Sequence, residues 1–285
     1  MRIKKHSNKN EYLLTKQGMW VRNFNKSMVP YIDANKTVSE KDHFLLLKNE
    51  HTNNQAKYAW IDTEDLYHDK ILIVSNGYGF DSEAIMNKLP SDVAVIGVHG
   101  SLAKWKSPRT MNYYVVNNPY QECMSYLPRR NKSLPRCIAS TRTNPEFLDA
   151  YRGSKYRYVP VGEDGYNGTD SKEIEYQIDD YRNPICAAIN LAYKFGVERL
   201  ALCCCDDAFE GERVGAEKLH NGLWIYPPQR IAHGLIDGSL YWLRHGRQEI
   251  FTADCSSGPL YENAEYIDQD KLQSFFDGVI DDKKE

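Results

Sequence analysis

Runs of β-branched and small apolar residues at ILIVS (71–75), VAVIGV (93–98), NYYVVNN (112–118) and VERLALCCC (197–205) restrict what this chain can fold into. Each has a centre without polar alternation and ends in short polar residues. Strands that are apolar on both faces lie inside a sheet covered by helices on both sides. Between the first two, DSEAIMNKL (81–89) has helical spacing, with Asp81 as its N-cap and Pro90 closing it. NPICAAINLAYKFG (183–196) is a second helix, with Pro184 in its first turn and Gly196 at its C-cap. A third spans 234–246, a fifth strand is EIFTADC (249–255), and the tail from Glu265 is read as a terminal helix. Strand, helix and strand at this spacing make βαβ units, so the expected fold is α/β, a doubly wound, mostly parallel Rossmann-like sheet.

Residues 1–68 are polar and mixed, with short strands expected at 20–24 and 43–50 and a lead-in at 58–67, and read as an N-terminal subdomain or a cap on the sheet. Residues 69–285 form the main domain. Within it, 127–180 breaks the rhythm with prolines, glycines and charge, and reads as a long lid-like insertion. Arg129, Arg130, Lys132 and Arg136 give it a basic run, either a solvated face or a clamp for phosphate.

With 36 basic against 39 acidic residues, the net charge of −3 argues against a dedicated nucleic-acid coat. The 20 tyrosines and 5 tryptophans suit polar clefts for sugars or bases, and equally an ordinary half-buried surface. No secretory leader pattern and no run of ~20 apolar residues is present, so no membrane span is expected. The cysteines (123, 137, 186, 203, 204, 205 and 255) are odd in number and contain no CxxC pair. They read as buried free thiols in a reducing compartment, which predicts a cytoplasmic protein.

Open parallel sheets bind ligands beyond the carboxyl ends of their strands. Here those ends carry Asn76, Gly77 and Gly79; His99 and Gly100; Asn117; Asp206 and Asp207; and Ser256. Gly77 and Gly79 could let backbone amides meet a phosphate, or could simply form a tight turn; a third glycine of the GxGxxG pattern is missing. Asp206 and Asp207 could hold magnesium, bind a ribose or cap a helix. His233, just ahead of the helix at 234, is a candidate general base, as is His99 at a strand end.

The span NPICAAINLAYKFGVERLALCCCDDAF, with ILIVSNGYGF before it and FTADCSSGPLYENAEYI after it, resembles a Rossmann-like superfamily. That superfamily comprises the bacterial sialyltransferases, the motility-associated flagellin glycosyltransferases and the MptE-like 6-hydroxymethylpterin diphosphokinases. The resemblance covers roughly residues 70–270. NGYGF stands where the family has a glycine-proline-serine turn, and Cys205 stands where it has a glycine.

The resemblance implies a glycosyltransferase moving a sugar from a nucleotide-activated donor to an acceptor hydroxyl. His233 would be the general base, Asp206 a catalytic partner, Asn76, Gly77 and Gly79 the donor contacts, and Asn183 a neighbour of the nucleotide. No cofactor is required in that reading, and the acceptor is left open among glycan, protein and modified nucleic acid. The alternatives are a diphosphokinase using ATP and magnesium held by Asp206 or Asp207, and a nucleotide-binding module without turnover.

Overall fold

Neighbouring residues of the apolar runs point to opposite sides of one sheet. Ile71 and Ile73 enter one core while Leu72 and Val74 enter the other, and Ile96 and Val95 divide in the same way. The computed structural model describes residues 2–5, 11–14, 20–22, 40–56, 58–61, 66–128, 133–161, 176–208, 210–219, 222–246, 250–256 and 260–279.

In chain order, β1 (Arg2–Lys5), β2 (Glu11–Leu14) and β3 (Trp20–Arg22) form an antiparallel sheet of their own. Then come α1 (Glu40–Gln55), β4 (Ala59–Trp60), β5 (Lys70–Val74), α2 (Ser82–Asn87), β6 (Ala94–Val98), α3 (Ser101–Lys104) and β7 (Tyr113–Val116). A 3-10 turn (Gln121–Tyr126) leads to β8 (Arg136–Ser140), α4 (Pro145–Ala150), β9 (Lys155–Val161), β10 (Gln177–Asp179), α5 (Pro184–Lys194) and β11 (Arg199–Cys203). The chain continues through β12 (Glu217–Lys218), β13 (Trp224–Ile225), α6 (Pro227–Gly246), β14 (Phe251–Asp254), β15 (Glu265–Tyr266) and α7 (Leu272–Phe276).

The main sheet has the order β10-β9-β8-β7-β6-β5-β11-β14-β15, with β4 also paired to β9, and every one of these pairings is parallel. From β5 the chain steps outward to β10. It then returns through α5 to lay β11 on the other side of β5. The carboxyl ends of β5 and β11 therefore flank the switch point, where an open α/β sheet has its crevice.

Helices α5 and α6 cover one face, burying Ile185, Ile189, Ile236 and Leu240. On the other face α2, α4 and α7 bury Ile85, Phe147, Leu272 and Phe275. The caps act as the sequence implies: the Asp81 carboxylate accepts from the Glu83 and Ala84 amides, Pro184 occupies the first turn of α5, and Gly196 takes φ +83° behind it. All seven cysteines are buried, and none is joined in a disulfide. Among the described residues no helix is long and apolar enough to cross a membrane.

Four expectations are corrected. The tail read as a helix from Glu265 opens instead with strand β15, and its α-helix is confined to Leu272–Phe276. HFLLLKNE (43–50) lies in α1 and is not a strand. Among the described side chains of α1 the buried positions are Leu46, Asn49, Glu50 and Asn53, which have helical spacing but are mostly polar, while Phe44 and Leu47 face outward. Its asparagines hold backbone: Asn53 Nδ2 donates to the carbonyls of Thr141 (2.8 Å) and Thr143 (2.7 Å), and Asn49 Nδ2 donates to Pro119 (3.0 Å) and Arg142 (3.2 Å).

The stretch 127–180 contributes β8, β9, β10 and α4 to the body of the fold, so it is not a lid-like insertion. Its charges flank buried cores such as Cys137-Ile138-Ala139. Arg129, Arg130 and Lys132 lie outside the described residues. Arg136 is exposed at the amino end of β8, on the rim opposite the strand ends, where its charge acts on Tyr113 and His68.

The last correction concerns α6, which begins at Pro227 and so places His233 in its second turn instead of ahead of it. Two prolines open the helix, where a missing amide proton is tolerated.

Candidate functional site

The turns that follow β5 and β11 are bonded to each other. Gly77 N–H donates to the Cys204 carbonyl (2.9 Å), and Tyr78 N–H donates to Asp206 Oδ1 (3.0 Å). Ala208 N–H reaches the same carboxylate oxygen at 3.3 Å. A Cβ on Gly77 would stand 2.5 Å from the Cys204 carbonyl oxygen and closer still to Asp206 Oδ1, so only glycine fits. The N–H groups of Gly77 and Tyr78 are thus engaged within the protein. Gly79, at φ +72°, borders open space.

Asp206 is 0% exposed and links the glycine turn to α6, since His233 Nε2 donates to its backbone carbonyl at 2.6 Å. A carbonyl can only accept, so this nitrogen carries the proton and Nδ1 keeps the lone pair. The imidazole is buried edge-on to Tyr261, with ring centroids 5.9 Å apart. Burial lowers its proton affinity below the usual histidine value, and the Asp206 carbonyl and the carboxylates of Asp207 and Asp206 oppose that shift.

The neighbouring turns close around this unit. Asn76 Oδ1 accepts from Gly100 N–H (2.9 Å), and Ser256 Oγ accepts from Cys205 N–H (3.1 Å). The Tyr261 hydroxyl donates to the Cys205 carbonyl (2.8 Å).

Beside this unit, over the ends of β6 to β10, lies a cavity of ≈ 270 Å³. His99, Asn117, Tyr126, Arg142, Asp180 and Arg182 contribute to its wall. Asp180 is buried and accepts from Asn117 Nδ2 (3.2 Å), the Tyr158 hydroxyl (2.9 Å) and Arg182 N–H (3.0 Å). Burial raises its carboxyl above the ordinary range against these bonds. Asn183 does not line the cavity; it caps α5 by accepting from Ile185 N–H at 2.9 Å. The Asp207 charge contributes to the field at both His233 and the cavity residue Tyr126.

Two further signs mark this rim. The non-glycine residues at positive φ among those described are His99, Tyr181, Arg182, Cys204 and Asp207, all just past strand ends. Such strain persists where the surroundings enforce it, often at sites of function. Ser75 Oγ, His99 Nε2, Ser101 Oγ, Thr141 Oγ1 and Asp254 Oδ2 are also buried there without a partner. Asp254, the last residue of β14, has its carboxyl pushed up to about 6, chiefly by burial.

The structure therefore brings Asn76, Gly77, Asp206, His233, Gly100 and Ser256 into one bonded unit, and sets His99 and Asn117 on the cavity beside it. Arg142, Asp180, Tyr126 and Asp254 were not singled out from the sequence. The first two lie in the stretch read as loop, and Asp254 has only its position at a strand end to signal it.

For the magnesium alternative, Asp206 fits poorly, because one carboxylate oxygen already accepts two amides in a fully buried setting. Asp207 is half-buried, and among the described residues no group of three or more histidine, cysteine or acidic side chains is placed to hold a metal ion.

No protein-family model and no curated protein matches the sequence. A solved structure with the same fold is the MAf glycosyltransferase from Magnetospirillum magneticum AMB-1, with TM-score 0.59 and 15% identity. The likeness covers 80% of this chain and 39% of that one, so this chain spans about two fifths of the neighbour's length.

Proposed function

We propose that the chain is a glycosyltransferase that moves a sugar from a nucleotide-activated donor to an acceptor hydroxyl. The observation that carries this reading is the single hydrogen-bonded unit of glycine turn, Asp206 and His233 at the switch point, with a polar cavity beside it. The fold shared with a glycosyltransferase supports the class of reaction. In this reading His233 Nδ1 takes the acceptor proton, while Asp206 orients the ring through Nε2 and fixes the glycine turn. Gly79, the member of the turn that borders open space, meets the donor phosphate. The reading calls for no bound cofactor, and the buried thiols suit a reducing cytoplasm.

Thermal unfolding with UDP-, GDP- and CMP-linked sugars, ATP and the parent nucleotides tests the donor class. A true donor at a hundred times its dissociation constant adds about 2.7 kcal/mol. His233→Ala should then cut transfer about 10²- to 10⁴-fold while keeping the donor's stabilisation. Undiminished transfer by that variant would falsify the assignment, and donor binding without any transfer would mark a binding module instead.

The pH profile has a definite sign. His233 works as a neutral base with its proton affinity below the usual histidine value. Wild-type kcat/KM should therefore hold as pH falls to 6.5 and decline only below it. A decline centred above 6.5 would contradict this role.

A further inference from the structure

A second hollow, of ≈ 210 Å³, lies outside the crevice, between α5, α6 and the end of β10. The rings of Tyr181, Tyr193 and Trp242 line it together with Asp179, Asn190 and Ser239. The polar groups of this wall have already given their protons away. Asn190 Nδ2 donates to the carbonyls of Asp179 (2.8 Å) and Cys186 (3.0 Å), which uses both amide hydrogens. A reversed amide would set its oxygen against those two carbonyls, so Oδ1 is what this half-buried side chain offers a ligand. Ser239 Oγ donates to the Leu235 carbonyl (3.0 Å), and the Tyr193 hydroxyl to the Gly246 carbonyl (3.5 Å). Each can then only accept from anything further, as the Asp179 carboxylate does by nature.

Such a wall fits a ligand that donates hydrogen bonds from its edge and turns an apolar face to the rings. An anion is disfavoured by Asp179 and by the carboxyl end of α6, whose last residue, Gly246, also lines the hollow. A cation finds its counter-charge engaged, because Asp179 already acts on the half-buried Lys194 ammonium, and Arg244 and His245 stand in the last turn of α6. A neutral sugar has hydroxyls round its edge and C–H groups on its faces. The hollow is smaller than those that take drug-sized ligands and has room for one ring.

We propose that this groove is a second carbohydrate site, in which a neutral sugar ring packs on Trp242 and donates hydroxyl hydrogen bonds to Asn190 Oδ1 and Asp179.

The place of the groove gives it a task. The turn from β10 to α5 holds two consecutive residues in the left-handed region, Tyr181 (φ +46°) and Arg182 (φ +58°), and Asn183 N–H closes it on the Asp180 carbonyl at 2.7 Å. Asp180 and Arg182 belong to the wall of the crevice cavity, Asp179 and Tyr181 to that of the groove. The two hollows therefore stand on either side of one turn. A glycan with one unit in the groove is held beside the crevice, as an acceptor oligosaccharide needs to be. Sugar binding depends on the groove alone, and only the acceptor role rests on the glycosyltransferase reading.

The test measures binding of neutral mono- to tetrasaccharides of glucose, galactose, mannose and N-acetylglucosamine by calorimetry. Wild type is compared with Trp242→Ala, Trp242→Phe, Asp179→Asn and His233→Ala. Trp242 is 38% exposed on α6, so its variants should keep the fold, which thermal unfolding checks. Wild type should bind at least one of these saccharides. W242A should lose about tenfold in affinity, W242F and D179N about threefold, and H233A nothing. CMP, UDP and GDP should not compete.

If saccharides bind in this pattern but no sugar nucleotide supports transfer, the groove stands and the transferase reading falls. If transfer proceeds while wild type binds none of the saccharides, or W242A and D179N bind them as well as wild type does, the reading stands and the groove is overturned. Choline bound in place of sugar, acidic saccharides preferred to neutral ones, or a wild type that dimerises through Trp242 also overturns it.

Discussion

Gly77→Ala is expected to remove about 3 kcal/mol or more of folding stability, at the upper end of what overpacking does in a core. The added methyl would lie 2.5 Å from the Cys204 carbonyl oxygen and nearer still to Asp206 Oδ1. Neither can retreat. The Cys204 carbonyl accepts Gly77's own N–H from a residue already at φ +53°, and the Asp206 carboxylate is buried under the amides of Tyr78 and Ala208. Domains of this kind hold a net ~5–15 kcal/mol, so the loss would move the urea midpoint by a large fraction. Asp206→Ala strands two amides and is damaging alone, but it also vacates the space. The double variant should therefore lose less than the sum of the two singles. A Gly77→Ala protein with the wild-type midpoint would show that the two turns do not pack in this way.

Asp254→Asn is expected to stabilise the protein at pH 7 by roughly 2–3 kcal/mol, and hardly at all at pH 4. The Asp254 carboxyl is pushed up to about 6 from its ordinary value of 3.8, with burial the largest cause. A folded-state value above the unfolded one means the folded chain binds an extra proton between those two pH values. Stability from this group is therefore full below about 3.8 and lost as pH rises toward 6, leaving a buried ionised carboxylate at neutrality. Asparagine keeps the acceptor for Ser256 N–H without the charge. The advantage of the variant should grow steadily from pH 4 to pH 7 in denaturant titrations. A difference that does not change with pH would remove burial as the cause.

The buried parallel strands could be read directly because hydration leaves little choice for a run such as Ile71-Leu72-Ile73-Val74, which must be covered on both sides. The cap at Asp81, and Pro184 and Gly196 at the two ends of α5, were equally legible, since they are local chemistry; Asn183 was read as a nucleotide neighbour and is instead the cap of α5. Helix α1 was misread because its inward face is polar: Asn49 and Asn53 serve as hydrogen-bond donors to distant turns, which no apolar periodicity can reveal. Strands β8 to β10 were hidden for a related reason. They lie on one side of the sheet and carry charge at their ends, so their composition resembles loop.

The site shows the same division. Gly77 and Asp206 could be found because each follows an apolar run, and His233 was singled out ahead of an expected helix that in fact begins at Pro227. That Gly77 packs against Asp206 and offers no free amide depends on a contact across about 130 residues of chain. The cavity wall of Arg142 and Asp180 depends on strands that were not recognised.

The pairing of β5 with β11 also governs when the molecule becomes competent. Residues such as Ile73 and Leu202 lie side by side although about 130 positions separate them, so a long loop must close before the middle of the sheet exists. During synthesis the half from β5 to β10 can assemble outward from local βαβ steps. The crevice straddles the one junction that waits for the returning chain. A ribosome-bound fragment ending before Arg199 would carry most of the cavity wall and none of the partners that fix the glycine turn, so binding competence arrives as a late event of folding.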